Sequence, residues 1–423
     1  MRRTTAFHLT AFFSVCLLTT LLPVRVTAGQ TNGKHDSVAF GYPLRIPPEI
    51  SGSFAELRTA HFHGGLDFRT QQREGLRVYS AAPGKIIRVS VSKVSYGKAL
   101  YVRHANGDIT LYAHLSEFSQ PMKRLVKKAQ KKSGRYETEL TNLHIKTKPN
   151  KPIALSGNTG ASGGPHLHFE IMRDTFRLNP ACYGLPISDS AAPNLLYLAL
   201  YSQRTPPDSS LVGLSLFNPD SVLRQSWMDA PALDYQMEKI VRKEYDSIAA
   251  LLQQSADTSV SIEPPFLTLF NKADSLQWQA SYFRTDHLPD TLFLHAATAF
   301  GICALDSIHR MPFHYGLYKL SFVVRDEING QQDTLAAYEL DRLPIAVFKD
   351  LDRHIDLPFY RKTGKRLEKS WLEPGQSRTP YRKMQNRGVF VPCQGKKYTL
   401  FIHTEDLAGN ATLLQIPLVG KSR

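Results

Sequence analysis

The chain is poor in cysteine, with four in 423 residues: Cys16, Cys182, Cys303 and Cys393. The last three permit at most one intramolecular bridge, which excludes a disulfide framework as the source of stability. Acid is also scarce, with 37 Asp and Glu against 52 Lys and Arg and a formal net charge of +15. That balance favours anionic surfaces. No nucleic-acid module accompanies the charge, so nucleic acid is not expected as a partner. Beyond the first two dozen residues no apolar run is long enough to cross a bilayer, and no segment repeats. A glycine-rich loop, "SGNTGASGGP", lacks the lysine that closes a phosphate-binding P-loop, which excludes that use of it.

The first residues have the pattern of an export signal. "MRR" precedes an apolar run from Ala6 to Val24, and Val26-Thr27-Ala28 offers the small residues that a signal peptidase accepts. Cleavage is expected after Ala28, placing the protein in the periplasm or cell envelope, or outside the cell. A retained anchor is the alternative, since the run approaches the ~18–20 residues that span a membrane. Cys16 sits mid-run behind Phe13-Ser14-Val15, a poor context for lipidation. Loss of residues 1–28 removes Arg2, Arg3 and Arg25 and no acid, leaving a basic protein with no integral membrane segment.

The chemistry gathers in two short stretches. In "GPHLHFEI" the alternation of a strand puts His166 and His168 on one face and sends Leu167 and Phe169 to the other, free to enter a core. Neutral imidazole is the commonest metal ligand and also titrates near neutrality, so such a pair can divide metal binding from proton transfer. A His-x-His pair alone is weak, and the chain has a second at His61 and His63. In "HFHGGLDF", His63 and Asp67 are four apart, which on an extended segment shares a face, and the glycines between them allow close approach of another backbone. Two imidazoles and one carboxylate make a three-ligand set with a position left for a reactant, unlike closed, thiolate-rich structural zinc sites. "TLYAHLSEF" is expected to put Tyr112 and His114 on one face of a further apolar strand.

Together these stretches resemble the lysostaphin/LytM-like zinc metallopeptidases, which cut peptide bonds in bacterial peptidoglycan. The resemblance rests on "ELRTAHFHGGLDF" (56–68), "GKALYVRHANGDITLYAHL" (97–115), "LSGNTGASGGPHLHFEI" (155–171) and the closing Asn179-Pro180. It covers about residues 40 to 185. It implies one zinc ion held by His63, Asp67 and His168, with His166 and His114 flanking the reactant water and the substrate. His166 is the candidate general base, because one strand holds it beside a ligand; His114 is the candidate for steadying the oxyanion or orienting the water. Arg58 is a candidate for pairing with a substrate carboxylate or a structural acid. His61 matches no ligand position and reads as a neighbour of the site. Peptidoglycan is then the expected partner. Non-enzymatic activators or scaffolds of other wall hydrolases are the alternative among relatives, and a secreted zinc protease acting on proteins is a third reading.

The expected fold is mainly β. An antiparallel-sheet peptidase domain over 29–187 is followed by a β-sandwich region of immunoglobulin-like type over 188–423, of one or two modules, which offers a surface to other envelope proteins. "HANGDI" predicts a tight hairpin that makes Asn106 and Gly107 structural. The basic stretch "PMKRLVKKAQKKSGRYETEL" predicts a helix and then a strand, the helix being either a solvated face or a rim for anionic substrate. Residues 232–254 have helical spacing and are expected to pack on the sandwich or over the cleft. "KTGKRLEKSWLEPGQSRTPYRK" (362–383) reads as an exposed basic loop. His309, His314, His354 and His403 are scattered and read as surface or satisfied core residues.

Overall fold

Strands dominate because β-branched and aromatic residues recur at every second position, as in "KLSFVVRD" and "KYTLFIHTE", where each alternate residue is buried. The computed structural model describes residues 39–58, 61–185, 187, 189–203, 267–269, 278–306, 315–350, 354–372, 376 and 379–421. The expected signal segment (1–28), the expected helix over 232–254, His309 and His314 lie outside the described residues.

The first half is built on strands β1 (Ile50–Gly52), β2 (Leu66–Arg69), β3 (Gly84–Val91), β4 (Lys98–His104), β5 (Ile109–Ala113), β6 (His166–Arg173) and β7 (Phe176–Leu178). They form an antiparallel sheet in the order β1-β2-β6-β5-β4-β3, with β7 hairpinned onto the end of β6. The β4–β5 hairpin turns at Asn106-Gly107: Asn106 Oδ1 accepts from the Asp108 amide, and Gly107 takes a φ of 89° that a side chain would disfavour. Leu167, Phe169 and Ile171 of β6 are fully buried on one face, each contributing about 1.5–3 kcal/mol of apolar burial. This leaves the other face of β6 for His166, His168 and Glu170. Helix α1 (Met122–Ser133) buries only Met122 and Val126, one turn apart, and leaves its lysines in solvent. None of its residues lines the groove described below.

The second half comprises β8 (Asn194–Gln203), β9 (Leu267–Leu269), β10 (Trp278–Arg284), β11 (Leu292–Leu294), β12 (Thr298–Leu305), β13 (Lys319–Asp326), β14 (Gln332–Glu339), β15 (Arg342–Pro344), α2 (Leu357–Thr363), β16 (Glu368–Lys369), β17 (Tyr381–Met384), β18 (Val389–Phe390), β19 (Lys397–Glu405) and β20 (Ala411–Gly420). One sheet has the order β9-β10-β8-β12-β16, with β18 also pairing β12; the other runs β11-β20-β19-β13-β14-β17. All pairs are antiparallel except β11–β20. Leu198, Leu200, Phe300 and Ile302 from one sheet share a buried cluster with Leu320, Phe322, Leu400 and Ile402 from the other, and that cluster continues into Phe68 and Phe169 of the first half. The core thus runs without a break across residue 187. β15 joins the edge of the first sheet through β7, with Arg177 opposite Leu343.

The described residues of 362–383 do not form an exposed loop. α2 ends at Thr363, and Leu367, Glu368, Ser370, Trp371 and Leu372 are buried. The cations that suggested solvent are separated by apolar residues that enter the core, and Arg366 forms an ion pair with buried Glu368. His354 is a core residue and not a surface one: it is 2% exposed, lies 3.7 Å from Glu368 and stacks on Phe62 at 5.1 Å.

Candidate metal centre

Antiparallel pairing places His168 of β6 directly opposite Asp67 of β2. His63 reaches the same spot over Gly64 and Gly65. A Cβ at Gly65 would lie 2.0 Å from the Phe169 carbonyl oxygen, and one at Gly64 would lie 2.7 Å from Glu170 Oε1. Only glycine lets this segment run so close to β6.

The three donor atoms converge. Asp67 Oδ1 lies 3.1 Å from His63 Nε2 and 2.8 Å from His168 Nδ1, and the two nitrogens are 2.9 Å apart. The far nitrogen of each ring fixes its tautomer. His63 Nδ1 is 2.7 Å from the Ser53 carbonyl oxygen, which can only accept, so Nδ1 carries the hydrogen and Nε2 presents a lone pair. His168 Nε2 likewise faces Glu170 Oε1 at 2.9 Å, leaving the lone pair on Nδ1. Two lone pairs and a carboxylate oxygen aimed at one point repel one another unless a cation lies between them. Metal–nitrogen and metal–oxygen bonds of about 2.0–2.2 Å put neighbouring donors roughly 3 Å apart, so the triangle has the size a transition-metal ion needs.

The charges agree with that reading. Burial opposes ionisation of Asp67, but the imidazoles of His63, His166 and His168 around it, when they carry protons toward it, hold its carboxyl well below the usual range. Burial likewise pulls His168 down, yet its bonds to Asp67 and Glu170 push it up to about 9; Glu170, despite burial, is held at about 2 by His168, Arg177 and Tyr96. Two buried carboxylates around one imidazole leave the site short of positive charge, which a proton or a metal cation supplies.

Two further imidazoles border the triangle. His166 Nδ1 is 2.8 Å from the Gly164 carbonyl oxygen, so its Nε2 lone pair faces the centre, 3.5 Å from Asp67 Oδ1. His114 Nδ1 is 2.8 Å from the Thr159 carbonyl oxygen, and its ring lies 4.7 Å from that of His166. His114 does not share a face with Tyr112, contrary to the strand alternation. β5 ends at Ala113, and a φ of 56° at His114 turns its side chain to the site, while Tyr112 points into the core and its hydroxyl accepts from the Ala81 amide. A non-glycine residue in the left-handed region is a strained conformation of the kind that clusters at functional sites. Burial and the neighbouring His168 and His166 charges lower His114 to about 4.

Arg58 Nη2 donates to Asp67 Oδ2 at 2.7 Å and pairs with Glu56 at 2.6 Å, anchoring the carboxylate from behind. His61 is exposed on the groove wall and contributes no atom to the triangle. Sequence reasoning missed Glu170, although the alternation that paired His166 with His168 puts it next on the same face. It also missed Tyr96 and Arg177, both at 2.5 Å from Glu170. Glu170→Gln keeps the shape but removes the charge behind His168, and is expected to weaken metal binding by about 10- to 100-fold in a chelator competition assay; an unchanged affinity would refute that role. The site opens into a groove of about 600 Å³ walled by Ala161, Ser162 and Gly163 of the glycine loop and, from the second half, by residues near 345–349.

Residues 61–146 match the family model described as Peptidase family M23. The chain is 35% identical over 130 residues to the DD-carboxypeptidase/endopeptidase Mpg of Neisseria meningitidis, an alignment covering 31% of this chain and 24% of that protein. It is 33% identical over 132 residues to the peptidoglycan DD-endopeptidase ShyB of Vibrio cholerae, covering 31% and 25%. The alignments thus span about a quarter of the length of these curated relatives. Among solved structures, a zinc containing peptidase from Vibrio cholerae aligns over 32% of this chain and 37% of that one, at 28% identity and a TM-score of 0.23. His63, Asp67 and His114 fall inside the segment that matches the family model, and His166 and His168 lie beyond its end.

Proposed function

We propose that the protein is an exported zinc endopeptidase that hydrolyses peptide bonds in the stem peptides or cross-links of peptidoglycan. One observation carries the reading: the lone pairs of His63 and His168 and an oxygen of Asp67 meet at one buried point that borders an open groove. The endopeptidase names of the relatives support the substrate class. A borderline-soft donor set of two imidazoles and one carboxylate suits zinc, which supplies Lewis acidity toward a peptide carbonyl and an acidified water.

The surrounding side chains handle protons and position. His166 Nε2 takes a proton from the attacking water and returns it to the amide nitrogen as the C–N bond breaks, giving a carboxylate and an amine. His114 donates its only ring hydrogen to Thr159 and is neutral at pH 7, so its Nε2 accepts a hydrogen bond and orients the water. That argues against its serving as an oxyanion donor. Arg58 acts on Asp67 and not on substrate. In this reading residues 29–187 are the peptidase unit, and the region after 187 is an immunoglobulin-like part that positions or restrains it.

Digestion of purified sacculi and, separately, casein tests this, with new amine and carboxyl ends identified by mass spectrometry. The expected result is new ends from sacculi alone, lost on chelation and restored by zinc. Products from casein would point to a secreted protease, and binding of sacculi without products, with metal bound, to a non-enzymatic activator.

A further inference from the structure

One wall of the groove comes from outside the family domain. Ile345, Ala346, Phe348 and Lys349 line it, more than 150 residues beyond the last strand of the peptidase sheet. Three contacts hold this strap against the site. β15 pairs with β7, the Ile345 amide donates to the Thr175 carbonyl at 2.8 Å, and the Phe62 amide, beside ligand His63, donates to the Phe348 carbonyl at 2.9 Å. The strap is therefore fixed at both ends, and its exposed side faces the groove: Ile345 is 45% exposed, and Ala346 and Lys349 are exposed as well.

The charges lining the groove do not cancel. Its two carboxylates are both engaged, Asp67 with Arg58 and the histidines, Glu170 with Arg177 and His168. Its arginines are those same partners. Lys349 is the remaining lining cation, and it has no ion pair among the described residues. A cation left over at the rim of a cleft beside exposed small apolar side chains is complementary to a peptide end, where a free carboxylate adjoins a small apolar residue.

We infer that the strap forms a substrate subsite in which Lys349 receives a free carboxylate of the peptide while Ile345 and Ala346 contact the adjoining small side chain. The inference rests on the endopeptidase reading, and it assigns the second half of the chain a direct part in substrate choice.

The test uses the full zinc-loaded protein and two synthetic cross-linked stem peptides that differ only in a terminal carboxylate or carboxamide. The wild type is expected to prefer the carboxylate by on the order of 10- to 100-fold in kcat/KM, expressed in KM, as loss of a charge-assisted hydrogen bond implies. Lys349→Met abolishes the preference with bound zinc and the rate on the carboxamide unchanged. Lys349→Arg keeps it, and Lys349→Glu reverses it. Equal kcat/KM for the two peptides in the wild type, or a preference that survives Lys349→Met, overturns the subsite and leaves the endopeptidase standing. Cleavage of neither peptide nor of sacculi by the zinc-loaded protein overturns both.

Discussion

Replacing His168 by alanine is expected to remove the metal and the activity together, with metal content falling from one ion per chain to near zero and kcat/KM on sacculi falling on the order of 10⁴-fold or more. The size of the effect follows from the position of the ring. Among the described residues His168 is the only imidazole that touches both Asp67 and Glu170, through Nδ1 at 2.8 Å and Nε2 at 2.9 Å. Without it two buried carboxylates face each other across a void, and the ligand set drops to two. Such a deletion also costs stability, since a buried carboxylate deprived of its partner costs about 3–5 kcal/mol. Asp67→Asn separates the two effects, because the amide keeps the shape and can still hydrogen-bond while the charge is gone. It is expected to lose the metal with a smaller loss of melting temperature. Full metal occupancy in His168→Ala, measured by elemental analysis of the folded protein, would contradict the assignment.

His166→Ala is expected to keep the metal and lose the rate. A general base contributes about 10²–10⁴-fold, so kcat should fall by that factor with KM and zinc content nearly unchanged. The structure motivates the split. His166 is fixed through Nδ1 by the Gly164 carbonyl and the Ser162 hydroxyl, and its Nε2 stands 3.5 Å from Asp67 Oδ1, outside the tight triangle of 2.8 to 3.1 Å. Loss of zinc on changing His166 would make it a ligand instead, and a full rate would deny it any part in proton transfer.

Most of the centre was legible in the sequence because it depends on local periodicity. Alternation along "HLHFEI" predicted which residues enter the core and which face the donor triangle, and the glycines of "HFHGGLDF" announced a close backbone approach that Gly65 now shows against Phe169. The same rule failed at Tyr112 and His114, where one left-handed residue reverses the alternation; nothing in "TLYAHLSEF" marks a histidine for that conformation, which usually favours glycine or asparagine. In the second half, the strand "TAFGICAL" escaped detection because it is buried on both faces and shows no alternation. The basic run after α2 was misread because charge counts ignored Leu367, Trp371 and Leu372 between the cations. Tertiary placement was the least visible. No local pattern in "RLPIAVFKD" says that it will extend the first sheet and wall the groove, since that contact is set by a pairing between β7 and β15 far apart in the chain.

The central claim is that His63, Asp67 and His168 share one zinc ion. X-ray absorption at the zinc edge, on the full chain loaded with one equivalent, reads the ligand set directly. The account predicts a first shell of only nitrogen and oxygen at about 2.0–2.2 Å, with scattering from two imidazoles that falls to one in His63→Ala. A shell containing sulfur, or imidazole scattering unchanged in that variant, would contradict it.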